Sequence, residues 1–479
     1  MDDASPRRGS VSGAAMWSYL SAFADRGLRF VLFVMLARLL SPAEIGFVAL
    51  AALLTDAIQA LLESGYGNAL VRKADVSASE FDTAFWSTMA LSGMLSLVAA
   101  GLAYPVAGLL ARPDLALVML WLAPIPLLVG LGKIPKAHAT RQLGFRALAG
   151  RTVGSTLVGG LVGVFMAAAG FGIWAIVVRN ITVAALQVVV IWLAVPWRPA
   201  WRFSPVDFAE LTPVSLRLMG AEALHQVNLK CVELMSGAGL GAAALGLLRV
   251  AAQTLALLVE LSAGPLAFVG YAVLGRTREG SDDRQQAFFT IARLAALLIF
   301  PVFLGLMVVA DDLLPLMFGA RWQGGGVLMQ ILCLMVVPIY WQIMFGMAVA
   351  VTGRAEQVLL WSVVEIGVTI AALAIGIRFG LIGVTVALLL RYYAVMFLQF
   401  ARFGRRTGLS LKRLIRNACP SMLAACVMAV AVAIVKAGLP LTWPPVAVLA
   451  VAVTTGCLVY AVMLPLTAAG LRPSLQALR

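Results

Sequence analysis

Fifteen charged residues of this chain lie inside long apolar runs, where a charge is costly. They are Arg26, Arg29, Arg179, Arg217, Lys230, Arg249, Arg293 and Arg391, set against Asp25, Asp56, Glu63, Glu222, Glu233, Glu260 and Glu365. Insertion scales put a charge at the centre of a membrane helix at about 2.5–3.5 kcal/mol. Such side chains therefore face a protein interior or a wet cavity, where they pair with one another or hold an ionic ligand. Arginine presents forked donors to anionic oxygens, and lysine a point charge. Arg26, Arg29, Arg179, Arg217, Lys230, Arg249 and Arg391 are the candidate contacts for an anionic headgroup. Asp25, Asp56, Glu222, Glu233 and Glu260 are the candidates for ion coupling or for charge pairing.

Local spacing sorts some of these. Ser18, Ser21, Asp25 and Arg29 fall on one stripe of a helix. Asp25 and Arg29 at i,i+4 either pair and hold two helices together, or leave Arg26 or Arg29 to an anion. Glu222, Gln226, Lys230 and Glu233 share a second face, with His225 and Arg217 close by. A helix this polar lines a cavity or a polar seam, and His225 reads as a hydrogen-bonded packing residue. Asp56, Gln59 and Glu63 share a third face, and Arg249 and Glu260 are expected to pair with it. Arg293 and Arg217 sit near helix ends and can snorkel, whereas Arg179 and Arg391 are deeper. Glu365 has no evident partner in its own segment. Acids nearly equal bases, so the sequence does not specify a plainly cationic cavity.

Catalytic constellations are missing. The chain has two histidines, no phosphate-binding loop, no Gly-x-Ser-x-Gly elbow and no paired Cys/His spacing for a metal. The five cysteines, Cys231, Cys333, Cys419, Cys426 and Cys457, are scattered through apolar segments. Neither a disulfide framework nor a metal site has that pattern, and buried packing is expected of them. Neither enzyme activity nor a cofactor or metal is expected.

The elements that must position these charges are membrane helices. Hydrophobic residues make up 62% of the 479 and charged residues only 12%. Apolar segments of about 20 residues, the length that crosses a bilayer core, recur almost without a break. Fourteen spans are expected, near 14–37, 43–65, 83–110, 115–135, 148–169, 172–194, 214–236, 241–272, 287–309, 327–350, 357–376, 380–402, 418–437 and 443–465. The net charge of +14 does not mark a nucleic-acid binder, because the cations are spread over short connections instead of one soluble face.

Those cations orient the chain. With the amino end inside, 23 of the 36 Lys and Arg fall in the inside connections and termini, Lys133, Lys136, Arg141 and Arg151 among them. Five, Arg38, Arg112, Arg321, Arg378 and Lys436, fall outside. The bias follows the positive-inside rule and places both termini in the cytoplasm. Arg7-Arg8 precedes a run far longer than the apolar core of a cleavable leader, so the first helix is expected to stay. The longest outside connection is Ala310–Gly326. The inside linkers Pro196–Pro213 and Phe403–Asn417 divide the chain into residues 1–200, 201–408 and 409–479: two six-helix lobes and a final helix pair.

Two echoes support the lobes. Ile45-Gly46, Ala51-Ala52 and Leu61 return as Leu245-Gly246, Ala251-Ala252 and Leu261, and Phe171-Gly172 returns as Phe379-Gly380. Six spans per copy make the repeats parallel, with a substrate site expected near the midplane between them. The fold class is thus an all-α polytopic membrane protein.

Several motifs carry a family resemblance. Ala37-Arg38-Leu39-Leu40-Ser41-Pro42-Ala43-Glu44-Ile45-Gly46 and Glu63-Ser64-Gly65-Tyr66-Gly67-Asn68-Ala69-Leu70-Val71-Arg72 come first. Gly170-Phe171-Gly172-Ile173-Trp174-Ala175, Phe318-Gly319-Ala320-Arg321-Trp322 and Phe379-Gly380-Leu381-Ile382-Gly383-Val384 follow. Together they resemble the polysaccharide-transporter branch, the O-antigen and exopolysaccharide flippases, of the multidrug/oligosaccharidyl-lipid/polysaccharide flippase superfamily. The resemblance implies a bacterial inner-membrane transporter that moves a polyprenyl-diphosphate-linked oligosaccharide to the outer leaflet, working beside polymerase and export machinery. The alternatives are a cation-coupled exporter of drugs or small solutes, using Asp25, Asp56, Glu222 and Glu260, and a membrane enzyme of glycan assembly. The short outside connections argue against the enzyme.

Overall fold

The computed structural model describes residues 8–142, 145–276, 282–351, 355–407, 409–440 and 442–468. Arg7, Arg278, Arg354, Arg472 and Arg479 lie outside the described residues, as do the side chains of Arg8, Ser18, Ser21, Arg146, Arg276, Arg402, Arg405 and Arg406. Helices are the only regular elements among the described residues. The chain divides into two compact units, Met1–Gly246 and Leu247–Arg479.

The first unit contains α1 (Arg8–Leu39), α2 (Pro42–Ser64), α3 (Tyr66–Arg72), α4 (Ala78–Gly101), α5 (Ala103–Leu109), α6 (Asp114–Leu122), α7 (Ile125–Arg141), α8 (Phe145–Ala168), α9 (Ile173–Ala194) and α10 (Pro205–Leu240). The Ser41-Pro42-x-Glu44 turn of the first motif is a helix start. The Ser41 hydroxyl accepts from the Glu44 N–H, the Glu44 carboxylate accepts from the Ser41 N–H at 2.8 Å, and Pro42 takes the first helical position. Ser77 and Glu80 repeat that reciprocal cap on α4. The single span expected over 115–135 is broken beside Pro124, which lacks the N–H needed to continue the helix. Its second half, α7, then runs on to Arg141.

Small residues set the spacing within this unit. Gly159 and Gly163 on α8 lie against the backbone and stem of Arg179 on α9, a glycine pair four residues apart at a close helix crossing. Gly160 receives Leu32 of α1. Ala49, Ala51 and Ala52 of α2 pack in a core with Leu115, Leu122 and Val177. α10 packs on α2, α3 and α4. Of the inside linker expected over Pro196–Pro213, only residues 196–204 are irregular. It is fastened by Ala200 N–H to Asp82 at 3.0 Å, Ser204 N–H to Thr83 at 3.0 Å and Trp86 Nε1–H to the Ala200 carbonyl at 2.9 Å.

The second unit contains most of α11 (Ala242–Arg276), then α12 (Asp282–Phe318), α13 (Gly325–Cys333), α14 (Val336–Val351), α15 (Ala355–Gly376), α16 (Gly380–Thr407), α17 (Leu411–Gly438) and α18 (Pro445–Ala468). α12 reaches Phe318, so most of the loop expected from Ala310 is helix. Gly319 turns the chain at φ 98° and buries Trp322 beside Phe318. α15 and α16 are expected spans of their own, joined by the 3-10 turn Ile377–Phe379, and they pack along each other.

Gly172 and Gly380, the paired glycines of the second echo, open α9 and α16 with φ 54° and 72°. An L side chain rarely adopts that region, so this echo is a repeated backbone requirement as well as a repeated word.

Ten helices among the described residues are long and apolar enough to cross a membrane, eleven if the bent pair α13–α14 counts as one span. Fourteen spans is therefore an approximate count. Ser362–Phe400 registers as one apolar stretch although it holds both α15 and α16, and α10 is long but too polar to register. Among the cysteines, Cys333 is buried and Cys231 half-buried, but Cys419, Cys426 and Cys457 are exposed on the helix surface. Buried packing therefore fails for those three. A thiol behaves as a small hydrophobe, so an apolar helix face accommodates it without burial.

Candidate functional site

Charge clusters tie the helices of the first unit together. The first joins α1 to α8. Buried Asp25 accepts from Arg29 Nε at 2.7 Å through one oxygen and from the Thr156 hydroxyl at 2.8 Å through the other. The i,i+4 pair expected from the sequence exists, and Asp25 is the member that anchors to a second helix. Arg29 keeps its outer side exposed, and Arg26 beside it is half-buried.

The second cluster joins α2 to α10. Lys230 Nζ lies 3.3 Å from Asp56 and 3.1 Å from Glu233. One turn away, Gln226 donates to Glu222 at 2.7 Å. The polar face read on α10 is thus a seam against α2 at Lys230. Arg217 and His225 are exposed.

The third cluster was not legible as a site. Glu63, at the end of α2, accepts through one carboxylate oxygen from Lys133 Nζ at 3.0 Å and from Lys136 Nζ at 2.8 Å, both on α7. Lys133 also donates to the Glu63 carbonyl. Lys133 is 4% exposed, whereas the Lys136 and Glu63 side chains are 34% and 43% exposed. Gly67 on α3 lies flat against the Lys133 stem, and a Cβ there would come within 2.6 Å of Cε. Behind the lysines, buried Arg151 on α8 donates to the carbonyl and side chain of Gln187 at 2.9 and 3.1 Å. Its guanidinium passes Gly132 of α7. Arg141 closes the end of α7 by donating to the carbonyls of Leu70, Lys73 and Ala74.

Lys133, Lys136 and Arg141 counted in the sequence as loop cations. Their i,i+3 and i,i+8 spacing on one face of a helix reaching Arg141 is the signal that would have found them. Just outside the α2–α3 span, Lys73 meets Glu210 at 2.6 Å and also Glu80. The Glu210 and Glu80 carboxylates hold the Lys73 ammonium above the usual lysine range.

The second unit has its own buried pair. Arg391 on α16, 5% exposed, lies 3.3 Å from Glu365 on α15, which gives that carboxylate the partner its own segment lacks. Gln342 reaches Glu365 at 3.5 Å, and the Arg391 guanidinium stacks over Tyr392 at 4.5 Å. Trp341 Nε1–H donates to Gln399 at 2.8 Å, and both line a small cleft together with Arg391 and Gln342. Arg249 is half-buried on α11 and Glu260 is exposed. Among the described residues no group of three His, Cys, Asp or Glu is placed to hold a metal. Cations held in this way can fix anionic groups.

A family model described as polysaccharide biosynthesis protein matches residues 35–325. A succinoglycan biosynthesis transport protein, ExoT, of Rhizobium meliloti (strain 1021) is 26% identical over 64% of this chain, a match that spans 62% of that relative's length. The lipopolysaccharide biosynthesis protein WzxC of Escherichia coli (strain K12) is 23% identical over 80% of this chain and 78% of its own. Among solved structures, the lipid II flippase MurJ in an inward closed conformation superposes with a TM-score of 0.77 at 12% identity, covering 95% of this chain and 99% of that one. At that identity the likeness speaks for the fold.

Proposed function

The chain belongs to the polysaccharide biosynthesis protein family, and from that premise we propose that it is a flippase for a polyprenyl-diphosphate-linked oligosaccharide. It carries the repeat unit from the cytoplasmic to the outer leaflet of a bacterial inner membrane by alternating access, for O-antigen, exopolysaccharide or capsule. The protein is an integral membrane protein with apolar helices throughout. Two of its relatives are named for succinoglycan transport and lipopolysaccharide biosynthesis.

The observation that carries the reading is the set of cations held inside the helical units, Lys133 at 4% exposure above all. A transporter of lipid-borne diphosphates needs fixed positive groups at membrane depth and no catalytic machinery. Both termini are cytoplasmic in this reading, and a polymerase or export complex takes over on the far side. Arg26, Arg29 and Lys230 are the first-unit cations proposed to meet substrate, with Arg179, Arg217, Arg249 and Arg391 as further candidates.

The cation-coupled exporter is the weaker reading. Asp25 and Asp56, two of the carboxylates it would use, already face Arg29 and Lys230.

The test is a deletion strain assayed for lipid-linked repeat units on the cytoplasmic face of its inner membrane. Accumulation there with loss of surface polymer is expected. Normal surface glycan together with new sensitivity to cationic dyes would favour the exporter.

A further inference from the structure

Lys133, Lys136 and Arg151 bring three positive charges to one end of the first unit, and among the described residues Glu63 is the carboxylate bonded to the two lysines. A structural ion pair would need one lysine. Here a single oxygen of Glu63 takes an ammonium from each of two lysines, the arrangement by which a phosphate oxygen is held. Arg151 stands behind on neutral partners, the carbonyl and amide of Gln187.

The two sides of the cluster differ in burial. Lys133 and Arg151 are buried; the Lys133 stem is held against Gly67, where a Cβ would not fit, and Arg151 is held by its bonds to Gln187. Glu63 and Lys136 have open sides. Lys133 and Arg151 therefore form a buried floor, and Glu63 and Lys136 are the parts with room to rearrange.

Depth gives the ligand. Lys133 lies eight residues before Arg141, the last residue of α7, or about 12 Å along the axis at 1.5 Å per residue. Lys136 is about 7.5 Å from that end. With the orientation proposed above, this is the cytoplasmic end, near the level of inner-leaflet phosphates and well short of the midplane.

We infer that Lys133, Lys136 and Arg151 form a loading site for the diphosphate of a lipid-linked substrate, and that Glu63 is an internal counter-ion which the diphosphate displaces. The inference rests on the flippase reading and deepens it. It assigns a function to the Glu63-to-Gly67 motif, which otherwise reads as scaffold: the motif supplies the displaceable carboxylate and, four residues on, the glycine that admits the Lys133 stem.

The experiment measures binding to the purified full chain in nanodiscs, with three probes: a polyprenyl diphosphate, phosphatidylglycerol and inorganic pyrophosphate. Glu63→Gln removes the competing charge and is expected to tighten polyprenyl diphosphate binding several-fold. Lys136→Gln, at the open side where folding is least at risk, is expected to weaken it about tenfold, the worth of one charge-assisted hydrogen bond. Thermal unfolding of both variants checks that they fold.

A carboxylate with a purely structural role would lower the melting temperature in Glu63→Gln without raising affinity, and that result overturns the proposal. Equal responses to phosphatidylglycerol overturn the substrate assignment, and equal responses to pyrophosphate overturn the lipid. If the deletion strain accumulates no intermediate and the wild-type chain binds no diphosphate lipid, the flippase reading itself falls. If the deletion traps intermediates and both variants bind and export as wild type does, only the loading site falls.

Discussion

Gly46 and Gly246, members of the two stretches that echo each other 200 positions apart, pack backbone against backbone. A Cβ on Gly46 would overlap the Ala242 carbonyl and come within 2.8 Å of the Gly246 N, and one on Gly246 would overlap the Pro42 carbonyl. The helix start at Pro42 thus lies on the helix start at Ala242. Gly46 serves this crossing, and the turn before it is made by Ser41, Pro42 and Glu44.

Gly46→Ala is therefore expected to destabilise the purified protein by about 2 kcal/mol, because backbone atoms cannot move aside as a flexible side chain can. Gly220→Ala is the control. Nothing lies within 4 Å of the Cβ it would add in the middle of α10, so it should be neutral or stabilising by about 0.5–1 kcal/mol. Thermal unfolding in detergent compares the two, and equal melting temperatures would refute the crossing.

The Lys230 seam predicts that a second change partly offsets the first. Lys230→Met leaves Asp56 and Glu233 facing each other across α2 and α10 without their shared ammonium. It should destabilise by about 1–3 kcal/mol, as loss of a partly buried charged hydrogen-bond partner does. Adding Asp56→Asn should recover part of that loss, and a double-mutant cycle on unfolding free energies measures the coupling. Strict additivity would separate the two residues.

Asp25 is predicted to matter more to stability than Arg29, although they form one pair. Asp25 is buried and also accepts from Thr156, while the Arg29 side chain is 48% exposed. Asp25→Asn should lower the melting temperature, and Thr156→Val should add little once Asp25 is changed. Arg29→Ala should change stability by less than about 1 kcal/mol, the range of exposed pairs. If Arg29→Ala nevertheless abolishes polymer export, its exposed side is a substrate contact.

What could be read from the sequence divides by distance along the chain. The Asp25–Arg29 pair is local and followed from its i,i+4 spacing, the glycines at 172 and 380 stood out as an echo between the lobes, and the Ser41–Glu44 stretch was legible as a motif though not as a helix cap. Glu63 meets Lys133 and Lys136 from 70 residues away or more, and Glu365 meets Arg391 from 26. Those meetings depend on which helix faces pack, which periodicity within one span does not encode. Lys133 was hidden for a further reason. The positive-inside rule explains a lysine near a helix end so well that nothing prompted the question of whether it is buried. The longer reach of α7, past Pro135 to Arg141, is what moves it from a connection into the bundle.

The Glu365–Arg391 pair gives the sharpest energetic test, because Arg391 is buried and Glu365 only slightly exposed. Arg391 is 5% exposed in an apolar stretch, and its Nε makes no hydrogen bond. Its compensation comes from Glu365 and the Tyr392 ring. Removing one partner of a buried pair leaves an uncompensated charge and costs about 3–5 kcal/mol, whereas replacing both with apolar residues of similar size is often neutral or better. Glu365→Leu should therefore be severely destabilising, and Glu365→Leu with Arg391→Leu should regain most of the loss. Unfolding and yield of folded protein report the stability, and surface polymer in a complemented deletion strain reports the function. A double variant that folds but exports nothing would make the pair part of the transport cycle. A double variant that folds and exports normally would make it a structural contact. A single variant as stable as wild type would mean that the buried charge is compensated by something other than Glu365.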